Sequence, residues 1–332
     1  MSVLLSVLLS VFLQPREAHV TGSEEGSRFH EPVLSEEVVH WMAPSGSGLY
    51  LDGTVGGGGH SGLLLEACPT CRVIAADRDP EALVVAESAL AFAGDRVRFV
   101  QGRFDEVLDE LDDAEALDGA LLDLGVSSHQ LDAEHRGFSF RPGVELDMRM
   151  GGVDEGVLDA AQLLNEGTAE ELYRIFREYG EVPRTGRLVR EIVHRRSRDP
   201  FRTSDDLVAV LYRTLRRAPA AKEKARVFQA LRIAVNSELE ALDRVLPTIR
   251  DAMAPGAPFL VIAYHSLEDR QVKNAFREWS RSCVCPPRMP LCRCRGTALG
   301  SVLTRSPIRP TEDEVDRNPR ARSARLRVWR KS

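Results

Sequence analysis

Long hydrophobic runs are scarce in this chain. The longest, Met1 to Leu13, is broken only by Ser2, Ser6 and Ser10 and falls short of the roughly 20 apolar residues a bilayer span requires. No other segment qualifies, so no membrane crossing is expected. The run looks like the core of a signal peptide, but no Lys or Arg precedes it, and it lacks the arginines of a mitochondrial presequence. Together with the polar, Gly/Ser/Glu-rich residues that follow, 1–28 read as a disordered or mis-called N-terminal extension. Cysteine is also sparse. Six in 332 residues are too few for a disulfide scaffold, and the expected location is the cytoplasm. Excess positive charge is absent too: the formal net charge is −6, which excludes a whole-molecule field drawing the chain to nucleic acid. Any such affinity has to come from local patches. One is the C-terminal run of Arg317, Arg320, Arg322, Arg325, Arg327, Arg330 and Lys331. Another is the mixed stretch from Arg184 to Lys224, which reads equally well as a solvated helix surface.

What the chain does have is an alternation of short apolar runs with helical segments. Ser35 to Met42 reads as a helix with Ser35 as its N-cap, broken by Pro44 to Gly48. Leu49–Leu51, Val73–Ala76, Val97–Val100 and Ala120–Leu122 read as buried strands. Leu63 to Leu65 lie on a helix between the first two. Leu83, Val84 and Ala86 lie on another, opened by Pro80. This rhythm predicts βαβ units and a parallel sheet. From about 150 to 245 the strands stop and helical periodicity takes over. Leu172, Ile175, Phe176 and Tyr179 share a face; so do Leu188, Ile192 and Val193, and so do Phe228, Leu231, Val235, Leu239 and Leu242. Strand character returns at Phe259–Ala263 and Leu326–Trp329. The expected fold is α/β, a doubly wound sheet interrupted by an all-helical insertion. The sheet domain would comprise 29–148 and 246–332, and the insertion 149–245.

Three of the strands end in acids: Asp52, Asp77 and Asp123. Asp52 opens the loop Gly53-Thr54-Val55-Gly56-Gly57-Gly58-Gly59-His60, at the sheet edge where open α/β folds bind ligands. Gly57, Gly59 and Gly62 match the dinucleotide pattern G-x-G-x-x-G, a weak signal taken alone. Asp77 sits where a carboxylate accepts the ribose hydroxyls of an adenosine ligand. Three acids along one edge would repel a pyrophosphate. They suit a ligand bearing a sulfonium and an ammonium, which favours S-adenosylmethionine over NAD.

Downstream, Tyr264 to Arg270 follows a strand, and Ser266 with Asp269 forms a capping box; His265 reads equally well as facing the pocket or as packed elsewhere. Cys283-x-Cys285 and Cys292-x-Cys294 make two close thiol pairs, a candidate structural metal site such as zinc, with free thiols or a redox pair as the alternative readings.

The strings FHEPVL (29–34), DGTVGGGGHS (52–61), DRDPEAL (77–83), DLGVSSHQLD (123–132), RGFSF (136–140), LDMRM (146–150), FQALRIAVNSEL (228–239), HSLEDR (265–270) and NPRARSARLRV (318–328) resemble the bacterial 16S rRNA (cytosine-N4)-methyltransferase family, over roughly residues 29–330. The resemblance implies a Rossmann-like class I methyltransferase sheet with an inserted helical domain. It implies S-adenosylmethionine as methyl donor and a decoding-centre cytidine of 16S rRNA, within the small ribosomal subunit, as substrate. By position, Gly58, Gly59, His60, Asp77, Phe104, Asp123 and Gln130 would contact the cofactor. Ser127, Ser128, Asn318, Arg320 and Arg322 would lie toward the RNA. An exocyclic amine is a poor nucleophile, so it needs an acceptor for its N–H and close alignment; Asp123 is the candidate acceptor. The chain departs from the family at His129, where proline is usual. Like the family, it lacks the Asp/Asn-Pro-Pro-aromatic motif that marks the acceptor in many aminomethyltransferases. The competing readings are a nicotinamide- or flavin-dependent oxidoreductase, a non-catalytic RNA-binding assembly factor, and the same chemistry on DNA or transfer RNA.

Overall fold

A computed structural model describes residues 32–107, 115–152, 156–286, 291 and 293–332; the proposed N-terminal extension lies outside them. The elements run in chain order as α1 (Ser35–Met42), β1 (Leu49–Asp52), α2 (Gly59–Ala67), β2 (Arg72–Asp77), α3 (Pro80–Ala89), β3 (Val97–Gln101), β4 (Gly119–Asp123), α4 (Ser128–Asp132), α5 (Ala160–Glu166), α6 (Ala169–Arg174), α7 (Thr185–Arg196), α8 (Ser204–Leu215), α9 (Ala221–Asn236), α10 (Glu238–Ala252), β5 (Pro258–Ala263), α11 (Ser266–Trp279), β6 (Gly300–Val302), α12 (Glu312–Arg317) and β7 (Arg325–Lys331).

The strands form one sheet of order β3-β2-β1-β4-β5-β7-β6. The first five run parallel, and β7 is antiparallel to both β5 and β6. This is the Rossmann-like class I methyltransferase sheet that the sequence led us to expect. Its central strands read as unbroken apolar runs because helices cover both faces. Along β5, Phe259 and Val261 point into a core shared with α10 and α11. Leu260 and Ile262 point into the opposite core, shared with α1, α2 and α3.

A third core is built mainly by helices, with loop residues such as Phe138, Leu146 and Phe201, and its buried members run from Phe138 to Leu231. Its edges differ from the expected limits of 149 and 245. Phe138, Leu146 and Met148 already belong to it, whereas Leu242 and Val245 of α10 pack on the sheet. The stripe from Phe228 to Leu242 is therefore split between two helices. Ser237, at φ 49°, turns the chain between α9 and α10.

One buried polar knot lies within the helical part, and a second fastens that part to the sheet. In one, Asn236 accepts the Met150 N–H at 2.8 Å and donates to the Met148 carbonyl at 2.7 Å. In the other, the Asp79 carboxylate accepts from Gln130 Nε2 at 2.7 Å and from Arg136 Nη1 at 2.8 Å. Gln130 Nε2 and Arg136 Nη2 each reach on to the Met150 carbonyl.

Two local expectations shift. Ser35 is the first helical residue of α1, and Leu34, in the left-handed region, holds the N-cap without a side-chain bond. The capping box of α11 lies one residue earlier than expected, on His265 and Glu268. The strand expected at Leu326–Trp329 is present as β7 (Arg325–Lys331), at the end of the basic C-terminal run, with Leu326, Val328 and Trp329 fully buried.

Candidate functional site

The carboxyl ends of β1, β2, β4 and β5 open into one cavity of about 640 Å³, ample for a nucleoside-sized ligand. Its first wall is the glycine loop after β1. The backbone demand there falls on Gly56 (φ 51°) and Gly58 (φ 86°), a region costly for side-chain-bearing residues. The matched pattern marked Gly57, Gly59 and Gly62 instead, so the loop departs from the dinucleotide turn. Gly58 caps α2.

Asp52 is wholly buried and accepts from Ser61 Oγ at 2.7 Å and from the Thr54 N–H at 3.3 Å. It holds the loop in shape and is absent from the cavity lining. This corrects the expectation of three ligand-facing acids: Asp77 and Asp123 face the cavity, and Asp52 supports them.

Asp77 ends β2. Its Oδ2 accepts the Gly56 N–H and its Oδ1 the Asp79 N–H, both at 2.9 Å, so the glycine loop is latched to this acid. Each oxygen keeps a lone pair for a further donor. Burial outweighs those two bonds, and its pKa is pushed up to about 6.

Asp123 ends β4. Among the described residues, its Oδ1 is buried and finds no hydrogen-bond partner. Its Oδ2 lies 3.8 Å from His60 Nδ1, while His60 Nε2 sits 2.9 Å from the Val33 carbonyl. Burial raises the Asp123 pKa to about 6, against the opposing pull of His60 and of the Tyr264 hydroxyl.

All but one of the other expected cofactor residues also border the cavity. Gly59, His60, Phe104 and Gln130 line it, whereas Gly58, also expected there, is not among the lining residues and faces Leu90 and Ala86; Gln130 spends both amide hydrogens on the protein itself and its Oε1 accepts the Ser127 N–H. Ser127, Asn318 and Arg320 line the cavity mouth. Arg320 reaches Asp132 at 2.6 Å, joining the C-terminal turn to α4. Arg322 is exposed and is not among the lining residues. Ser128 opens α4, and its side chain lies outside the described residues.

The far end of the cavity is polar and was not foreseen. Arg232 of α9 holds Glu238 through paired bonds of 2.9 and 2.8 Å and stands 4.0 Å from Glu268. His265 Nε2 lies 3.0 Å from Glu268 Oε1. Burial opposes the Glu268 charge, but His265 and Arg232 outweigh it and hold that carboxyl below its usual range. Arg232, Glu238, Glu268 and Tyr264 all line the cavity beside Asp123. No spacing rule identifies such a cluster, because its members come from three segments joined only by the fold. The Asp79–Arg136 knot was missed for the same reason.

These residues fit S-adenosylmethionine. The cavity offers one orphaned carboxylate oxygen and a second acid with open lone pairs, which match a cationic ligand bearing ribose hydroxyls. Val55, Val85, Phe104, Leu124 and Val126 supply an apolar wall on which a flat base can pack.

Comparison with known proteins gives a consistent picture. The chain matches the MraW methylase family over residues 27–332. A protein named Ribosomal RNA small subunit methyltransferase H from Gemmatimonas aurantiaca is 49% identical over 310 residues, covering 91% of this chain and 95% of that one. Proteins of the same name from Heliobacterium mobile and Pelobacter propionicus are 47% and 46% identical, each over 91% of this chain and 98% of theirs.

Proposed function

This chain belongs to the MraW methylase family, and from that premise we propose that it is an S-adenosylmethionine-dependent rRNA methyltransferase acting in the cytoplasm on 16S rRNA of the small ribosomal subunit. The methylated atom in this reading is N4 of a decoding-centre cytidine. The observation that supports it best is the Asp123 carboxylate, with one buried oxygen that finds no donor among the described residues, at the strand edge of the cavity.

Bound here, S-adenosylmethionine would supply a methyl group made electrophilic by its sulfonium. Asp77 takes the ribose hydroxyls on the lone pairs that Gly56 and Asp79 leave open. Phe104 offers a face to the adenine. Gly56, Gly57 and Gly59 let the backbone come close, and His60 braces Asp123 from behind. Asp123 Oδ1 accepts an N–H of the cytosine amine, which turns the nitrogen lone pair toward the methyl carbon. Transfer of the methyl group would break its bond to sulfur, release S-adenosylhomocysteine and leave the amine with one proton to shed, which the same oxygen would take. Alignment of this kind is worth about 7–11 kcal/mol in effective molarity. Ser127, Ser128, Asn318, Arg320 and Arg322 are assigned to the RNA side.

The test is transfer of labelled methyl from S-adenosylmethionine to small ribosomal subunits from a strain lacking this gene, with the product nucleoside identified by mass spectrometry. Label in N4-methylcytidine is the expected result. Label in another nucleoside would leave the donor standing and overturn the assigned target. No transfer, despite measurable cofactor binding, would exclude rRNA of the small subunit as substrate.

A further inference from the structure

α11 starts at the cavity, where His265 caps it, and carries the chain along its 14 residues to Trp279, about 21 Å away at helical rise. The segment that follows leaves the sheet and returns at Leu299, whose N–H donates to the Trp279 carbonyl at 2.8 Å. Arg295 ties the base of this excursion together. Its guanidinium pairs with Glu278 at 2.9 Å and donates to the carbonyls of Arg281 at 3.0 Å and Thr297 at 3.1 Å.

Hydrophobic burial does not hold the excursion in shape. Among its described residues, the large apolar side chains Val284 and Leu291 are 40% and 70% exposed. Instead, Cys283, Cys285 and Cys294 bring their sulfur atoms within 4.8 Å of one another. The Val284 N–H points at Cys294 Sγ, 3.3 Å away, an interaction of the kind that supports a thiolate.

We propose that Cys283, Cys285 and Cys294 form a structural zinc site. Tetrahedral zinc with Zn–S bonds of about 2.3 Å places its sulfurs about 3.8 Å apart, a spacing these thiols reach with small side-chain rotations. Thiolate donors select zinc over the hard cations. Three thiolates leave one coordination position for a further donor; Cys292 lies outside the described residues, and the site does not depend on it. Lying at the far end of α11 from the cavity, the metal takes no part in methyl transfer. It replaces the missing apolar core and fixes the path of an arginine-bearing loop.

The full-length chain, purified without chelator or histidine tag, should carry about one zinc per molecule by elemental mass spectrometry. Cys285→Ser and Cys294→Ser should each lower that content at least tenfold. Cobalt(II) added to reduced, metal-stripped wild-type protein should give intense thiolate-to-metal absorption and tetrahedral ligand-field bands. Zinc should also protect the loop arginines from trypsin, and chelation should release them while the far-ultraviolet dichroism stays unchanged. Absence of both copurifying zinc and cobalt–thiolate bands in the wild type would overturn the proposal. So would zinc content that both cysteine variants retain.

Discussion

Asp77 and Asp123 face the same cavity, yet the fold treats them differently. Asp77 meets two backbone N–H groups, whereas Asp123 keeps an oxygen with no donor. Burial pushes the pKa of each from 3.8 up to about 6. Between those values the folded chain holds protons that the unfolded chain has released, so stability falls as pH rises from about 4 through 6. Each carboxylate therefore destabilises the ligand-free fold at neutral pH. For Asp123 a shift of that size corresponds to at most ~3 kcal/mol, an upper bound because its side chain is 22% exposed. Asp123→Asn should consequently raise the urea midpoint at pH 7.5 while lowering single-turnover methyl transfer by ~10²–10⁴. In the wild type, the rate should climb with pH up to about 6 and then level off. An Asn variant that is no more stable and fully active would remove this carboxyl from the chemistry. The three strand-end acids were legible in the sequence because each closes an apolar run. That Asp52 turns inward was not, since its partners Ser61 and Thr54 are set by the turn of the loop and not by any spacing.

At the level of elements, the ends of helices were harder to read than their bodies. The α11 box was expected on Ser266 because hydroxyl side chains dominate N-caps. The fold uses His265 instead: Nδ1 accepts the Glu268 N–H at 3.3 Å, and Glu268 Oε2 accepts the N–H groups of Tyr264 and His265. An imidazole nitrogen takes the place of a hydroxyl here only because Glu268 is buried at its other side. His265→Ala should thus cost about 1 kcal/mol for the missing cap and a further ~1–3 kcal/mol for leaving a buried carboxylate short of a partner. Urea titration reads both together. A loss below 0.5 kcal/mol, on the scale of a neutral surface substitution, would show that the cap and the His265–Glu268 pair contribute little. The junction of α9 and α10 escaped detection for a related reason. Apolar spacing continues across it, and Ser237 gives no breaker signal such as Gly or Pro, although its φ of 49° turns the chain.

For the whole molecule, the sheet was visible in its buried apolar runs, down to the last strand, expected at Leu326–Trp329 and found as β7. Leu326, Val328 and Trp329 are interleaved with Arg325 and Arg327, and both arginines pair with Asp269, at 3.7 and 2.7 Å. These two arginines of the last strand are thus held by an acid of α11. Removing residues 317–332 would delete the strand that joins β5 to β6. Burial of each large apolar side chain is worth about 1.5–3 kcal/mol, so three of them approach the roughly 5–15 kcal/mol that stabilises a typical domain. The truncated chain should lose its cooperative thermal transition altogether, and a folded truncation would refute the central place of β7. RNA affinity then has to be sought elsewhere on a surface of net charge −6. Arg187, Arg190, His194 and Arg216, with one acid, Glu191, which pairs with Arg213, surround a cavity of about 470 Å³ between α7 and the end of α8, within the middle basic stretch. If that face meets the phosphate backbone, Arg190→Glu with Arg216→Glu should leave the melting temperature near wild type, because both side chains are exposed. The slope of log affinity against log salt for small-subunit RNA should become shallower by about one for each phosphate that is no longer neutralised. An unchanged slope would mean that these helices are a solvated flank and that the RNA is gripped nearer the cavity mouth, by Arg320 and its neighbours.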